Sequence, residues 1–283
     1  MYINKFRLPN DDRTYEFILG QKETCFNSFY PFKVFENRNP VELEFGQVTF
    51  LCGGNGSGKT TLLNLIAESL QLKRVSRFNK SSFFDDYVKM CDYELAKGLP
   101  EASSIITSDD VFDYMLDMRA INEGIDYRRE ELREEYINLK GSNFKMESLD
   151  DYEKLKAINN SRKITQSEFI RRNIGKNLVE KSNGESGFQY FVEKINEPGL
   201  YLLDEPENSL SPPKQIELMK YLEDSARFFN CQFIISTHSP FMPAMKDCKI
   251  YNLDVNPIEV SKWTELENIR TYYDFFIEHS EEF

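Results

Sequence analysis

The residues most able to do chemistry in this chain are Gly53-Gly54-Asn55-Gly56-Ser57-Gly58-Lys59-Thr60, which fit the pattern G-x-x-x-x-G-K-[ST]. Glycines at these places let the backbone curl so that successive N–H groups face a polyphosphate, and the helix that follows adds a favourable potential at its N-terminus. Lys59 is then expected to reach the β- and γ-phosphates and the Thr60 hydroxyl to hold a magnesium ion. The bland alternative is a glycine-rich turn that happens to precede Lys-Thr. On average residue usage such a match arises by chance about one time in a hundred in a chain of this size. The candidate nucleotide contacts are Asn55, Gly56, Ser57, Gly58, Lys59, Thr60 and the next residue, Thr61.

A second group lies at Leu200-Tyr201-Leu202-Leu203-Asp204-Glu205, an apolar run that ends in two acids. Behind a phosphate loop, Asp204 is the metal-side carboxylate, and Glu205 is placed to take a proton from an attacking water. Many strands end in solvated carboxylates, so the run gains meaning only from the loop upstream. A third group is Ile234-Ile235-Ser236-Thr237-His238-Ser239-Pro240. The chain has two histidines, and His238 closes an apolar strand. Its functional role is a sensor of the γ-phosphate; the alternative is a bystander imidazole at a strand end. Ser182-Asn183-Gly184-Glu185-Ser186 precedes a predicted helix and makes an anion-facing nest, although alone it is only a polar loop.

These groups need elements to hold them. Val48–Cys52 is a compact apolar strand, and Leu62, Ile66 and Leu70 recur at spacing four on a helix from Lys59 to about Leu72. Strand, glycine loop and helix are α/β grammar. Residues 1–47, with Val41-Glu42-Leu43-Glu44-Phe45, predict a small antiparallel sheet. Leu200–Asp204, Phe233–Ser236, Lys249–Leu253 and Ile258–Val260 predict strands. Ser211 before Pro212 predicts a helix start, and Glu265–His279 a terminal helix. Between about Ser81 and Lys181 the pattern is helical (Val111–Ile121, Tyr127–Leu139, Leu149–Ile158, Thr165–Ile174), with one strand at Ser104–Thr107. The expected organisation is therefore a core of 1–80 and 182–283 with a helical insertion at 81–181.

Composition bounds the partners. The net charge is −12, so a general wrap around phosphate backbones is not expected, and nucleic-acid contact would be local or carried by a partner. Segment 162–181 holds six Lys/Arg against two acids, which a solvated helix face explains more simply than a binding surface. Five cysteines without a C-x-x-C pair suit a reducing compartment and argue against a cysteine zinc site. No apolar leader or membrane-length run is present, so cytoplasmic residence is expected.

The order P-loop, S-x-G-E, D-E-P-E-N-S-L-S-P, S-T-H-S-P resembles the ABC-type ATPases, in the soluble branch of SMC, double-strand-break-repair and OLD-like ATPases. With Asn55 in the loop, Pro31-Phe32 and Val48-Thr49-Phe50 before it, and Tyr273-Asp274-Phe275-Phe276 leading to Ser280-Glu281-Glu282-Phe283, the chain looks like the small stand-alone bacterial members. Residues 80–175 match poorly. The resemblance implies an α/β P-loop NTPase core of ABC-ATPase type, with an N-terminal antiparallel β-subdomain and an inserted helical subdomain. It implies ATP and Mg²⁺ as ligands, Glu205, His238 and Lys59 as catalytic groups, and Thr60 and Asp204 at the metal. Ser182 and Gly184 would be the signature loop that meets ATP held by a second copy, and Asn208 to Ser211 the D-loop. An ATP-dependent homodimer and an effector protein partner follow, the latter a DNA-processing or phage-defence factor; the alternative is the nucleotide-binding subunit of a membrane transporter. Two departures stand against the transporter form: S-N-G-E-S in place of L-S-G-G-Q, and no Q-loop glutamine. Ser104–Thr107 runs instead into Ser108-Asp109-Asp110, so a carboxylate there is expected to couple the metal to the insertion.

Overall fold

Apolar runs too short for helices and flanked by turn residues become strands buried on both faces, and they build the centre of this protein. The computed structural model describes residues 1–21, 29–38, 42–142, 144, 152–173 and 183–282. In chain order the elements are β1 (Ile3–Arg7), α1 (Asp11–Gly20), β2 (Glu42–Glu44), β3 (Val48–Cys52), α2 (Lys59–Ser69), α3 (Phe84–Val88), β4 (Asp92–Leu95), β5 (Ser104–Thr107) and α4 (Ser108–Gly141). There follow α5 (Tyr152–Lys163), α6 (Gln166–Asn173), α7 (Asn183–Lys194), β6 (Leu200–Asp204), α8 (Pro212–Phe228), β7 (Gln232–Thr237), β8 (Lys249–Asn252), β9 (Glu259–Val260) and α9 (Glu267–Glu278). The chain divides into two units, one of Met1–Phe112 and Asn183–Phe283, the other of Asp113–Ser182.

In the first unit a six-stranded sheet has the order β5-β6-β7-β3-β8-β9. Its first five strands are mutually parallel and β9 is antiparallel to β8. All of β3 and β7 is buried, as is β6 up to Leu203. Register aligns Cys52 with Thr237 and Asp204 with Ser236, so three adjacent strands end together. The crevice beyond such carboxyl ends is where open α/β sheets hold ligands.

A second sheet, β2-β1-β4, is antiparallel. Lys5 and Arg7 on β1 pair with Glu42 on β2. Gln232, fully buried at the start of β7, ties the two sheets. Its Oε1 accepts from the N–H groups of Tyr2 (2.6 Å) and Ile3 (3.0 Å), and its Nε2 donates to the carbonyls of Ile3 and Gly46, both at 2.9 Å. A buried carboxamide with each polar atom satisfied costs little and fixes one arrangement.

The antiparallel subdomain and the parallel core match the expected fold class, but the elements around them differ. β4 lies in the stretch expected to be helical. All four of its residues are exposed, so this edge strand lacks the alternation that would reveal it. Residues 81–112 accordingly belong to the first unit, where β4 and β5 complete its sheets. α1 was not anticipated, although its signals are present: the Asn10 side chain accepts from the Arg13 N–H at 3.0 Å, and Asp11 and Asp12 occupy the first turn. Two expected helices are one, α4. Gly124 does not break it, because a glycine costs a helix only about 1 kcal/mol against alanine.

In the second unit Leu132 and Tyr136 on α4 pack with Phe169 on α6. The Tyr136 hydroxyl donates to the Ile164 carbonyl at 3.0 Å. Arg128–Glu131, Asp126–Arg129 and Glu130–Arg133 pairs line α4, which accounts for the charge run there as a solvated face.

Candidate active site

β3 delivers the chain into the glycine loop, and two glycines make its path possible. Gly56 and Gly58 have φ of 81° and 97°, a region that side-chain-bearing residues seldom enter. At Gly58 a Cβ would also come within 2.8 Å of Val34 Cγ1. Arg38 clasps the loop, its Nη1 donating to the Ser57 and Leu253 carbonyls at 3.0 Å each. α2 begins at once with Lys59, and most of its residues are buried, so the helix N-terminus is anchored against the loop.

Lys59 is only 4% exposed. Its Nζ donates to the carbonyls of Gly53 (2.9 Å) and Gly54 (3.0 Å), and burial lowers its pKa against the opposing pull of Glu205 and other acids. Thr60 Oγ1 donates to Asp204 Oδ1 at 3.0 Å, and Ser236 Oγ donates to the same oxygen. Burial raises the Asp204 carboxyl above its usual range, with the two hydroxyls working against that rise. A half-buried carboxylate whose partners are hydroxyls is a hard-oxygen site suited to a small divalent cation.

Glu205 sits in the left-handed region at φ 49°, ψ 54°, an unusual conformation for a residue with a side chain and one found at functional positions. Its backbone N–H donates to the Ser236 carbonyl at 3.0 Å. One carboxylate oxygen accepts from Asn208 Nδ2 at 2.9 Å, and the other lies 3.3 Å from His238 Nε2. Burial, then Lys59, lowers the His238 pKa, which favours the neutral imidazole.

The groups read from three separate motifs, Lys59-Thr60, Asp204-Glu205 and His238, thus meet at the carboxyl end of the parallel sheet. Asn55, Gly56, Ser57 and Thr61 lie in the same loop and first helical turn, with Thr61 Oγ1 3.1 Å from the Tyr30 hydroxyl. Ser182 lies outside the described residues. Gly184 falls in the first turn of α7, which begins at Asn183. Of the two acids after β5, Asp110 is already engaged: its Oδ1 accepts from the Ser76 N–H (2.9 Å) and hydroxyl, and its Oδ2 from the Thr107 N–H (2.7 Å) and hydroxyl (3.0 Å). With both oxygens so engaged, Asp110 braces two backbone segments.

Several contributors escaped the sequence. Glu207, buried after β6, accepts the backbone N–H of His238 and that of Ser239 (3.0 Å) on one oxygen. Asn268 on α9 donates to the His238 carbonyl at 3.1 Å. Asp254 accepts the Gly54 N–H on both oxygens at 2.8 Å. Glu207 and Ser236 stood within quoted motifs; Asp254 and Asn268 carried no local signal. Among the described residues no group of three or more His, Cys, Asp or Glu is gathered as a metal cage, and no helix is long and apolar enough to cross a membrane.

Comparison with known proteins agrees with this geometry. A family model described as ABC transporter matches residues 37–208, and one described as AAA ATPase domain matches 178–242. An uncharacterized ABC transporter ATP-binding protein of Methanocaldococcus jannaschii is 26% identical over 250 residues, covering 86% of this chain and 87% of that protein. An uncharacterized ABC transporter ATP-binding protein/permease of Saccharomyces cerevisiae is 24% identical over 199 residues, covering 69% of this chain and 14% of that protein. Among solved structures, a Smc head domain with an extended coiled coil from Pyrococcus furiosus, bound to the C-terminal domain of ScpA, aligns with a TM-score of 0.45 at 16% identity. That alignment covers 96% of this chain and 99% of that one. A nucleotide-free ATP-binding cassette from an ABC transporter aligns with a TM-score of 0.43 at 16% identity, covering 97% and 96%. The ABC transporter model spans well over half of the chain, from before the phosphate loop through Asp204 and Glu205, and the chain belongs to that family as an ATP-binding, ATP-hydrolysing P-loop cassette.

Proposed function

We propose that this chain hydrolyses ATP to ADP and phosphate in a dimer of two copies, each nucleotide held between the phosphate loop of one and Ser182-Asn183-Gly184 of the other. The observation that carries the reading is the convergence of Thr60, Asp204, Glu205 and His238 beyond the ends of β3, β6 and β7. Lys59 exchanges its loop carbonyls for the β- and γ-phosphates. Thr60 and Asp204 would hold Mg²⁺, which would supply neutralisation of phosphate charge there. Glu205 accepts a proton from the water that attacks the γ-phosphorus, and the bridging oxygen leaves on ADP. Neutral His238, beside Glu205, donates a hydrogen bond to the γ-phosphate.

The dimer follows from the parts present. The chain has one phosphate loop and one signature-like segment, and in the fold it resembles these lie on opposite faces. Two copies related by a two-fold axis complete two equivalent sites. The S-x-G-E and D-E-P-E-N-S-L-S-P segments support placement in the soluble branch of the ABC-type ATPases, and a stand-alone ATPase of that kind would drive or gate a conformational change in an effector protein. Free Cys52, Cys91, Cys231 and Cys248 support a reducing, cytoplasmic setting. The names of the relatives favour a second reading, the nucleotide-binding subunit of a transporter.

Sedimentation of Glu205→Gln with and without ATP and Mg²⁺ tests the proposal. ATP stabilises a dimer only by binding it better than the monomer, and a stalled site should hold the dimer together. A chain that stays monomeric at high micromolar concentration with ATP bound defeats the homodimer and favours a different partner chain.

A further inference from the structure

Asp254 lies outside every motif of the sequence, in the turn after β8, yet its position is tightly fixed. The Leu253 N–H donates to the Cys52 carbonyl at 2.7 Å, tying the turn to the end of β3. The Asp254 N–H donates to Asn252 Oδ1 at 3.0 Å, and Arg38 holds the Leu253 carbonyl together with that of Ser57. The carboxylate is thereby set on the first turn of the phosphate loop, both oxygens 2.8 Å from the Gly54 nitrogen. A Cβ at Gly53 would come within 2.7 Å of Ser57 Oγ and 3.0 Å of Asp254 Oδ1, so the glycine at 53 leaves room for both.

An acid at the mouth of a loop built for anions is an unexpected choice. Among the described residues Asp254 has no ion-pair partner. It lines a cavity of about 430 Å³ with Gly53, Gly54, His238, Asn268 and Tyr272. Its field reaches Lys59 and His238, strengthening the hold of each on its proton. In the proposed function these two groups face the γ end of the nucleotide, so any charge added there would be added in the field of Asp254.

We propose that Asp254 sets the nucleotide preference of the loop, opposing the charge of the γ-phosphate and so holding ATP affinity down relative to ADP. The inference rests on the ATP-binding reading of the same site. The acid does two things that can be separated. Its oxygen keeps the Gly54 N–H in place, which an amide can also do, while its charge acts on the nucleotide, which an amide cannot.

Equilibrium binding of ADP and of an ATP analogue with a nitrogen β–γ bridge, both with Mg²⁺, is measured on the full chain and on Asp254→Asn and Asp254→Ala. Removing an exposed charge from the mouth of the phosphate loop should raise the affinity for the analogue relative to ADP by about three- to tenfold at low salt. The gain should shrink at about 0.5 M salt, because exposed charges are screened. Asp254→Ala should show the same change in preference and also faster hydrogen exchange at Gly54, which Asp254→Asn should leave near wild type. An unchanged analogue-to-ADP ratio in Asp254→Asn overturns the inference while leaving ATP binding in place. A wild-type chain that binds neither nucleotide overturns both.

Discussion

Glu207→Ala isolates the anchor of the His238 backbone. Glu207 is 7% exposed, and burial raises its carboxyl pKa. Its Oε1 accepts the backbone N–H groups of His238 and Ser239. The Ser239 N–H has a second acceptor in Thr237 Oγ1 at 2.9 Å, so truncation orphans chiefly the His238 N–H. An orphaned buried N–H costs about 1–3 kcal/mol, and the lost side chain leaves a cavity. Relief from burying a carboxylate offsets part of this, for a net of about 2 kcal/mol against the local closed state. Exchange of the His238 amide should then speed up about 30-fold, since about 1.4 kcal/mol is tenfold, and turnover should fall while ATP still binds. Glu207→Gln keeps an acceptor oxygen and should lie within about 1 kcal/mol of wild type. Hydrogen exchange read by NMR separates the two variants. Unchanged protection in Glu207→Ala, or Glu207→Gln as damaging as Ala, refutes the anchoring argument.

Three further outcomes follow from the site. Lys59→Ala should abolish or strongly weaken binding of a labelled ATP analogue, because the cation facing the β/γ-phosphates is lost; unchanged affinity would remove the loop assignment. Glu205→Gln should bind ATP yet turn over roughly 10²–10⁴ slower, and near-normal steady-state rates would place the general base elsewhere. His238 has its pKa depressed below the unfolded value near 6.5. The unfolded chain therefore binds more protons there, and this contribution to stability is present above that value and lost as pH falls through the folded pKa. Melting curves across pH 5–7.5 should show His238→Asn less acid-sensitive than wild type, and parallel curves would contradict the assignment.

The central groups were legible because each is local. The β3–loop–α2 unit is contiguous, and Asp204-Glu205 and His238 each close an apolar strand whose length and flanks identify it. What the chain hides is held across long sequence separations. Asp254 meets Gly54 and Gln232 meets Tyr2 across 200 and more residues, and no periodicity reports such pairs. Gln232 did leave a trace, a carboxamide opening an otherwise apolar strand. β4 left none, because an edge strand exposed on both faces has no alternation to read. Asp110 could not be assigned from sequence for a physical reason: a carboxylate three residues past a strand end serves equally well as a brace for N–H groups or as a ligand, and only the positions of Ser76 and Thr107 decide.

The central claim, a site completed by a second copy, is tested most directly by mixing two dead chains. On the proposed function Lys59→Ala would lack a working phosphate loop, and Ser182→Arg would block the signature-like segment. Neither should hydrolyse ATP alone. In a mixed two-fold dimer the intact loop of one faces the intact signature segment of the other, so one of two sites works. With random pairing an equal mixture should recover ATPase activity up to roughly a quarter of wild type. A mixture as inactive as its components, when both chains are folded and Ser182→Arg still binds ATP, contradicts the shared site.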